Sequence, residues 1–240
     1  MIICEIGLNH MGNIKYANEY INKIIKSKAD GILFHIREKS FYQNDSKLLL
    51  SDKFYANAIK KIKKSNLKFG ITLADPNKIE FCEEIGVDFY KIFSRDILEK
   101  ELIKKVISTK KQIFVSTGIS NIKEIKKFEK IIKNKKKQIT LVHTHLDKDI
   151  SKVNLNAMTE LKGKFKMKIA YGNHAENPLV TYLSLAFQPS DILFYVKGSK
   201  YQQHVDEPHA VTLDELDNFV QNIKILPNAL GNKNKIKLNL

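Results

Sequence analysis

The stretch Glu5-Ile-Gly-Leu-Asn-His-Met-Gly12 gathers a carboxylate, an amide and an imidazole directly behind a short apolar run, Met1-Ile2-Ile3-Cys4. A core strand does not need those groups, whereas a site that binds a ligand or moves protons does. Lys91 is the second signal, set inside the apolar pattern Asp88-Phe-Tyr-Lys-Ile-Phe-Ser94. A buried lysine is costly unless an acid or a bound anion accompanies it. Three readings stay open for it: an ion pair with a neighbouring strand's acid, a phosphate or carboxylate contact, or an amine for Schiff-base chemistry. Ser116-Thr-Gly118 offers two hydroxyls and flexible backbone, which suits a phosphate cradle and equally a plain strand-to-helix turn. His143 and His145 are two residues apart, so strand alternation turns them to one side. With His174 they supply imidazoles for a divalent metal or hydrogen bonds to a sugar. His143 also reads as a core histidine with satisfied bonds.

For these residues to meet, the elements carrying them must share a face. Apolar runs predict strands at Ile2–Ile6, Gly31–Ile36, Lys68–Leu73, Phe89–Phe93, Gln112–Ser116, Ile139–His143, Lys168–Tyr171 and Ile192–Val196. Helical periodicity predicts helices at Lys15–Lys26, Asp52–Lys64, Pro76–Glu84, Leu98–Thr109, Ile122–Lys133, Asn156–Leu161, Leu179–Phe187 and Thr212–Ile225. Ser120-Asn121 and the Thr212/Glu215 pair read as helix caps. Strands alternating with helices call for a parallel sheet. Eight units of about 30 residues fit an α/β fold, a single-domain (β/α)8 TIM barrel over residues 1–226. Residues 227–240 read as an exposed C-terminal tail. An open doubly wound sheet is the alternative, but the sequence has no G-x-G-x-x-G after a strand and no P-loop.

A barrel of this kind carries its chemistry at the carboxyl ends of its strands. Read in order, those ends offer Glu5, Asn9 and His10; His35 and Arg37; Thr72 and Asp75; Lys91, Ser94 and Arg95; Ser116 and Thr117; and His143, His145 and Asp147. The last two strands add Tyr171, Asn173 and His174, then Lys197 with His204, Asp206, Glu207 and His209 in the loop beyond. All seven histidines and both arginines fall in this set. It reads as a polar face built for an anion, a metal or both.

A net charge of +15 raises the question of nucleic acid or an anionic membrane. Of the 41 basic residues, 39 are lysines spread along the chain, and only Arg37 and Arg95 offer the bidentate fork favoured in phosphate-backbone recognition. The run Lys133–Gln138 reads as a solvated helix end. Neither nucleic acid nor membrane is therefore expected as a partner. No segment has the roughly 18 apolar residues of a membrane span. The amino terminus lacks a basic region followed by a long apolar run. Cys4 and Cys82 do not make a disulfide framework. A cytoplasmic location is expected.

Several stretches together resemble the sialic acid synthases, the N-acetylneuraminate synthase family with its legionaminate and pseudaminate relatives. Glu5–Gly12 resembles the family's E-I-G-x-N-H-x-G, and Glu84–Ser94 is similar to L-G-V-x-x-x-K-I-x-S. Val115–Ile119 resembles S-T-G-M, Val153–Ala157 V-N-L-N, and Tyr171–His174 Y-S-D-H, all in order and spacing. The resemblance implies a TIM barrel that condenses phosphoenolpyruvate with an N-acylated amino sugar, using a divalent metal, Mn or Mg. It implies phosphoenolpyruvate contacts at Thr72, Lys91, Ser94 and Ser116, Glu5 near the reacting carbon, and His174 as a metal ligand.

This chain departs from the pattern. The family's strand-two lysine is Leu33, and the metal histidine after strand eight falls at Gly198. The serine and aspartate of Y-S-D-H are Gly172 and Asn173. No counterpart of the family's carboxy-terminal antifreeze-like domain is expected in residues 227–240. Arg37, four residues after Leu33 and of the same strand parity, and Arg95 are expected to take over the anion, and His145 or His209 the metal. Glu5, Lys91 and His145 are accordingly the expected catalytic residues, with His145 and His174 on the metal. The expected substrate contacts are Asn9, His10, His35, Arg37, Thr72, Ser94, Arg95, Ser116, Tyr171, Asn173 and His209. The expected function is condensation of phosphoenolpyruvate with an aldose or amino sugar in surface-carbohydrate biosynthesis. The alternatives are aldolase, lyase or isomerase chemistry on a phosphorylated or acidic sugar, and a non-catalytic sugar-binding relative. The partners are small molecules, and a homodimer stays open.

Overall fold

Eight parallel strands close on themselves. They are β1 (Ile2–Gly7), β2 (Gly31–Ile36), β3 (Lys68–Leu73), β4 (Phe89–Ile92), β5 (Gln112–Ser116), β6 (Ile139–His143), β7 (Lys168–Asn173) and β8 (Ile192–Lys197). Each pairs with the next, and β1 also pairs with β8, with Glu5 opposite Tyr195. That closing pair rules out the open sheet and makes the single-domain (β/α)8 barrel. The structure, a computed structural model, describes residues 1–201, 203–232 and 234. Much of the expected tail, residues 233 and 235–240, lies outside the described residues.

The connecting helices are α1 (Ile14–Lys26), α2 (Lys39–Asn44), α3 (Asp52–Lys64), α4 (Ile79–Ile85), α5 (Lys100–Ser108), α6 (Ile122–Ile132), α7 (Ala157–Phe165), α8 (Leu179–Ser184) and α9 (Leu216–Ile225). Their starts are set by local chemistry. Asn13 accepts from the Tyr16 amide, Ser51 from Phe54, and Asn121 forms a reciprocal capping box with Glu124. Two features escaped the periodicity. The six-residue α2 follows β2. The expected start of the last helix is instead β9 (Val211–Thr212), which pairs with β8, so that helix begins at Leu216. No described helix is long and apolar enough to cross a membrane.

Strand alternation sorts the core into two layers. Outward residues pack under the helices in one large apolar shell. Inward residues Ile3, Leu33, Phe89, Phe114, Val142, Ala170 and Leu193 fill the barrel as a separate plug. The Phe89 ring lies over Gly70, where a Cβ would sit 2.1 Å from it. Two residues further along each strand the inward set turns polar: Glu5, His35, Thr72, Lys91 and Ser116, with Tyr195. The apolar plug is thus the floor of a polar chamber. Leu33 belongs to that floor.

Candidate active site

Glu5 and Lys91 form the centre. Lys91 Nζ donates to Glu5 Oε1 at 2.7 Å and to Oε2 at 2.6 Å, and both side chains are almost fully buried. His35 Nε2 stands 3.6 Å from Glu5 Oε2, and the Tyr195 hydroxyl 3.4 Å from that same nitrogen. Lys91 Nζ also sits 5.7 Å from the Tyr195 ring centroid. Burial alone would raise the Glu5 pKa. The Lys91 charge and the His35 and Lys91 hydrogen bonds outweigh it and hold the carboxylate at about 2. Burial keeps His35 neutral by lowering its pKa. Thr72 lies beside Lys91 in register and is fully buried with its hydroxyl unpartnered, a donor free for a ligand. Ser94 and Ser116 are buried at the ends of their strands.

The strand-one motif builds the wall next to this pair. The register between β1 and β2 shifts between Glu5 and Gly7, and Gly7 takes a left-handed φ of +55°. A Cβ there would lie 2.7 Å from Asp206 Oδ2, 2.9 Å from Tyr195 Cε1 and 3.3 Å from His35 Cε1. Three side chains therefore converge over a position that only glycine leaves open. Asn9 does not face a ligand. Its Nδ2 donates to the Val196 carbonyl at 2.8 Å, and its Oδ1 accepts from the Asp206 amide at 2.9 Å. It fastens the loop after β8 to the barrel.

That loop also delivers His209, whose ring stacks on His174 at 4.8 Å and meets Tyr195 edge-on at 5.1 Å. Both His209 nitrogens are buried without partners. Burial lowers His209 to about 4 and His174 to about 3, so both rings are neutral. His174 Nδ1 bonds the Thr144 hydroxyl at 2.7 Å. A divalent metal needs several lone pairs aimed at one point. The His174 and His209 rings are stacked nearly parallel, 24° apart, so their in-plane lone pairs lie in separate, near-parallel planes. Glu5 spends both oxygens on Lys91. A side chain at position 198 would put its Cβ 2.5 Å from the Tyr16 hydroxyl. Among the described residues no set of three or more His, Cys, Asp or Glu is arranged to hold a metal. The donor set does not fit one.

The two arginines meet at the rim. Arg37 donates to Glu38 from Nε at 3.1 Å and from Nη2 at 3.2 Å, and Arg95 Nη2 donates to the same carboxylate at 2.8 Å. The Arg37 guanidinium lies 4.0 Å over the Phe41 ring, and both guanidiniums lie 5.5 Å from that of Phe93. They converge on Glu38, whereas Lys91 is taken up by Glu5.

Other residues expected at the site face elsewhere. The strand β7 runs on to Asn173, so Ala170 and Gly172 turn inward while Tyr171 and Asn173 turn outward. The Tyr171 hydroxyl donates to Asn173 Oδ1 at 2.9 Å, and Asn173 Nδ2 to the Ala175 carbonyl at 3.1 Å. On β6 the inward phase is Thr140 and Val142, followed by Thr144, which leaves His143 and His145 on the outer phase. His143 Nε2 bonds the Val153 carbonyl at 2.9 Å, and His145 Nδ1 accepts from the Asp147 amide at 3.2 Å. Neither joins His174. The His10 ring packs 6.0 Å from outward-facing Phe34 and accepts from the Gly12 amide, a loop-shaping role. His204 bonds the Tyr16 hydroxyl. Of the seven histidines, only His35, His174 and His209 line the chamber. Tyr195 and Asp206 line it too; Asp206 was read from the sequence only as one of several polar residues in the loop after β8, and Tyr195 was not singled out. Tyr195 shares strand phase with Lys197, which is a usable signal. Asp206 sits in a loop, where no periodicity marks which side chain turns inward.

With this geometry in hand, comparison with known proteins is informative. A sequence profile of the NeuB family matches residues 4–235. The chain is 29% identical to an uncharacterized protein of Methanocaldococcus jannaschii, over 99% of this chain and 74% of that one. It is 28% identical to the N,N'-diacetyllegionaminic acid synthase of Campylobacter jejuni subsp. jejuni, over 96% of this chain and 77% of that enzyme. A crystal structure of the N-acetylneuraminic acid (sialic acid) synthetase of Leptospira borgpetersenii, in complex with citrate, matches with a TM-score of 0.90. Identity to it is 25%, covering 99% of this chain and 87% of that one.

Proposed function

The chain belongs to the NeuB family, and from that premise we propose that it condenses an enolpyruvyl phosphate with the aldehyde of an aldose or amino sugar. The product is an acidic sugar of the nonulosonic type, a building block of surface carbohydrate. The observation that carries this reading is the buried Lys91–Glu5 pair at the mouth of the barrel, flanked by the unpartnered hydroxyl of Thr72. In this reading Lys91 shares its N–H donors between Glu5 and the ligand's anionic oxygens, and the Thr72, Ser94 and Ser116 hydroxyls supply short donors around them. The neutral His35 and the Tyr195 ring line the chamber beside the reacting carbons. A ligand's carboxylate or phosphate, arriving from solvent, meets Arg37 and Arg95 first at the rim and exchanges for Glu38 there. No step is assigned to a metal, because the donors present do not converge on one.

Schiff-base chemistry at Lys91 is less well supported. The amine is bound as the cation of an ion pair with both Glu5 oxygens, whereas a Schiff-base nucleophile needs a free lone pair. The test is phosphate release on incubating the purified protein with phosphoenolpyruvate and a panel of aldoses and N-acylated amino sugars. Release that requires both substrates, and that Lys91→Ala abolishes, is expected. Absence of release with every acceptor, with or without added Mn²⁺ or Mg²⁺, would sink the proposal.

A further inference from the structure

Asp206 is the buried group in the chamber that the condensation leaves unassigned. Its Oδ2 is fully enclosed and has no hydrogen-bond partner, although the residue as a whole is only partly covered. The loop that carries it is held deliberately. Asn9 clamps its backbone amide, and Gly7, in a left-handed conformation, gives up a side chain so that Oδ2 can reach the wall shared with His35 and Tyr195. Two features of the opening motif, Gly7 and Asn9, thus serve one carboxyl group that feels the Glu5 charge. We propose that Asp206 is the proton donor to the acceptor's carbonyl oxygen in the condensation, an assignment that rests on the reading above.

The step balances. C3 of the enolpyruvyl phosphate bonds to the acceptor's carbonyl carbon. The carbonyl π pair moves to oxygen, which takes the Asp206 proton. Water adds to the electron-poor C2 and returns a proton to the Asp206 carboxylate. The resulting hemiketal phosphate breaks its C2–O bond, releasing inorganic phosphate and forming the ketone. The remaining chamber groups are unsuited to the donation. His35, His174 and His209 are held neutral by burial, and Lys91 is committed to Glu5.

Asp206 is pushed up to about 7, first by burial and then by the Glu5 charge; the Leu8 amide, Lys91 and Arg37 oppose the shift only in part. The groups facing it are Glu5 of β1, His35 and Arg37 of β2, Lys91 of β4 and Tyr195 of β8, while Glu207 on its own loop is turned to Lys197. Its carboxyl therefore exchanges its proton in the neutral range.

The test is the pH dependence of phosphate release by the full chain and by Asp206→Asn. For wild type, kcat is expected to fall as pH rises through about 7. In Asp206→Asn, kcat should drop on the order of 10²- to 10⁴-fold, with the KM for phosphoenolpyruvate little changed and the alkaline limb gone. A variant within about threefold of wild type, or one that keeps the limb, overturns the assignment while leaving condensation intact. Absence of release by wild type overturns condensation and with it this role. Should Asp206→Asn fail to fold, the wild-type profile decides: an alkaline limb near neutrality supports the donor, and a flat profile overturns it.

Discussion

Two carboxyl groups share the chamber and are tuned in opposite directions. Glu5 is ionised because Lys91 is beside it, and Asp206 stays protonated because it is enclosed near an existing negative charge. Removing one member of a buried ion pair leaves an uncompensated charge, so Glu5→Ala should cost about 3–5 kcal/mol. The double change Glu5→Leu with Lys91→Met should recover most of that. Chemical denaturation of the single and double variants measures it, and a double as unstable as the single would contradict the pairing. The signs with pH also differ. Glu5, depressed from 4.5 to about 2, stabilises the fold above pH 4.5, and that contribution is lost as pH falls from there toward 2. Asp206, raised from 3.8 to about 7, stabilises below pH 3.8, and that contribution is lost as pH rises through about 7. At 1.36 kcal/mol per pKa unit this amounts to about 4 kcal/mol at most. Asp206→Asn should therefore flatten the decline in Tm between about pH 5 and 8. A decline equal to that of wild type would place the titration elsewhere.

The elements were far more legible than the side chains that line the site. Apolar runs located all eight strands to within two residues at each end, because a parallel barrel strand is buried on both faces and reads as continuous hydrophobicity. The same continuity hides the strand's phase. The strand β7 was expected to stop at Tyr171, so Tyr171 and Asn173 were read as a polar end cluster. Two more strand residues fix them as outward and leave small Ala170 and Gly172 inside. His145 was lost to the site for the same reason of phase. Glu5, Lys91, Thr72 and His35 stood out in the sequence because a charged or polar residue in an apolar run is costly wherever it points, and they share the inward face of the barrel. Backbone conformation carried further information that spacing could not. At Gly7 an added methyl meets both a strained φ and the Asp206 carboxylate. Gly7→Ala should cost about 1–3 kcal/mol and lower turnover by displacing the β8 loop. At Gly198 the obstacle is the buried Tyr16 ring, so Gly198→Ala should lower Tm with little effect on the pH profile. Melting curves with matched pH–rate profiles separate the two, and equal behaviour would contradict the loop's role in holding Asp206.

At the scale of the whole molecule, a closed barrel divides labour between an apolar plug and a polar mouth. The plug carries the floor, which is why Leu33 can stand where the family has a lysine without breaking the fold. The mouth holds the charged and polar groups. Glu5 and Lys91 keep the centre, Arg37 and Arg95 gather at the rim on Glu38, and Tyr16 with His204 fills the space beside Gly198. A side chain at 198 and the Tyr16 ring cannot occupy the same volume. The high lysine count belongs to the surface, and it says little about the chamber. Condensation at the Lys91–Glu5 pair is the reaction to test. Its most direct measurement is product analysis by mass spectrometry, alongside phosphate release, after incubation with phosphoenolpyruvate and a panel of aldoses and N-acylated amino sugars. An acidic sugar three carbons longer than its acceptor and one phosphate released per product are expected, and neither with Lys91→Ala. A folded wild-type protein that forms no extended sugar and releases no phosphate with any acceptor would contradict it.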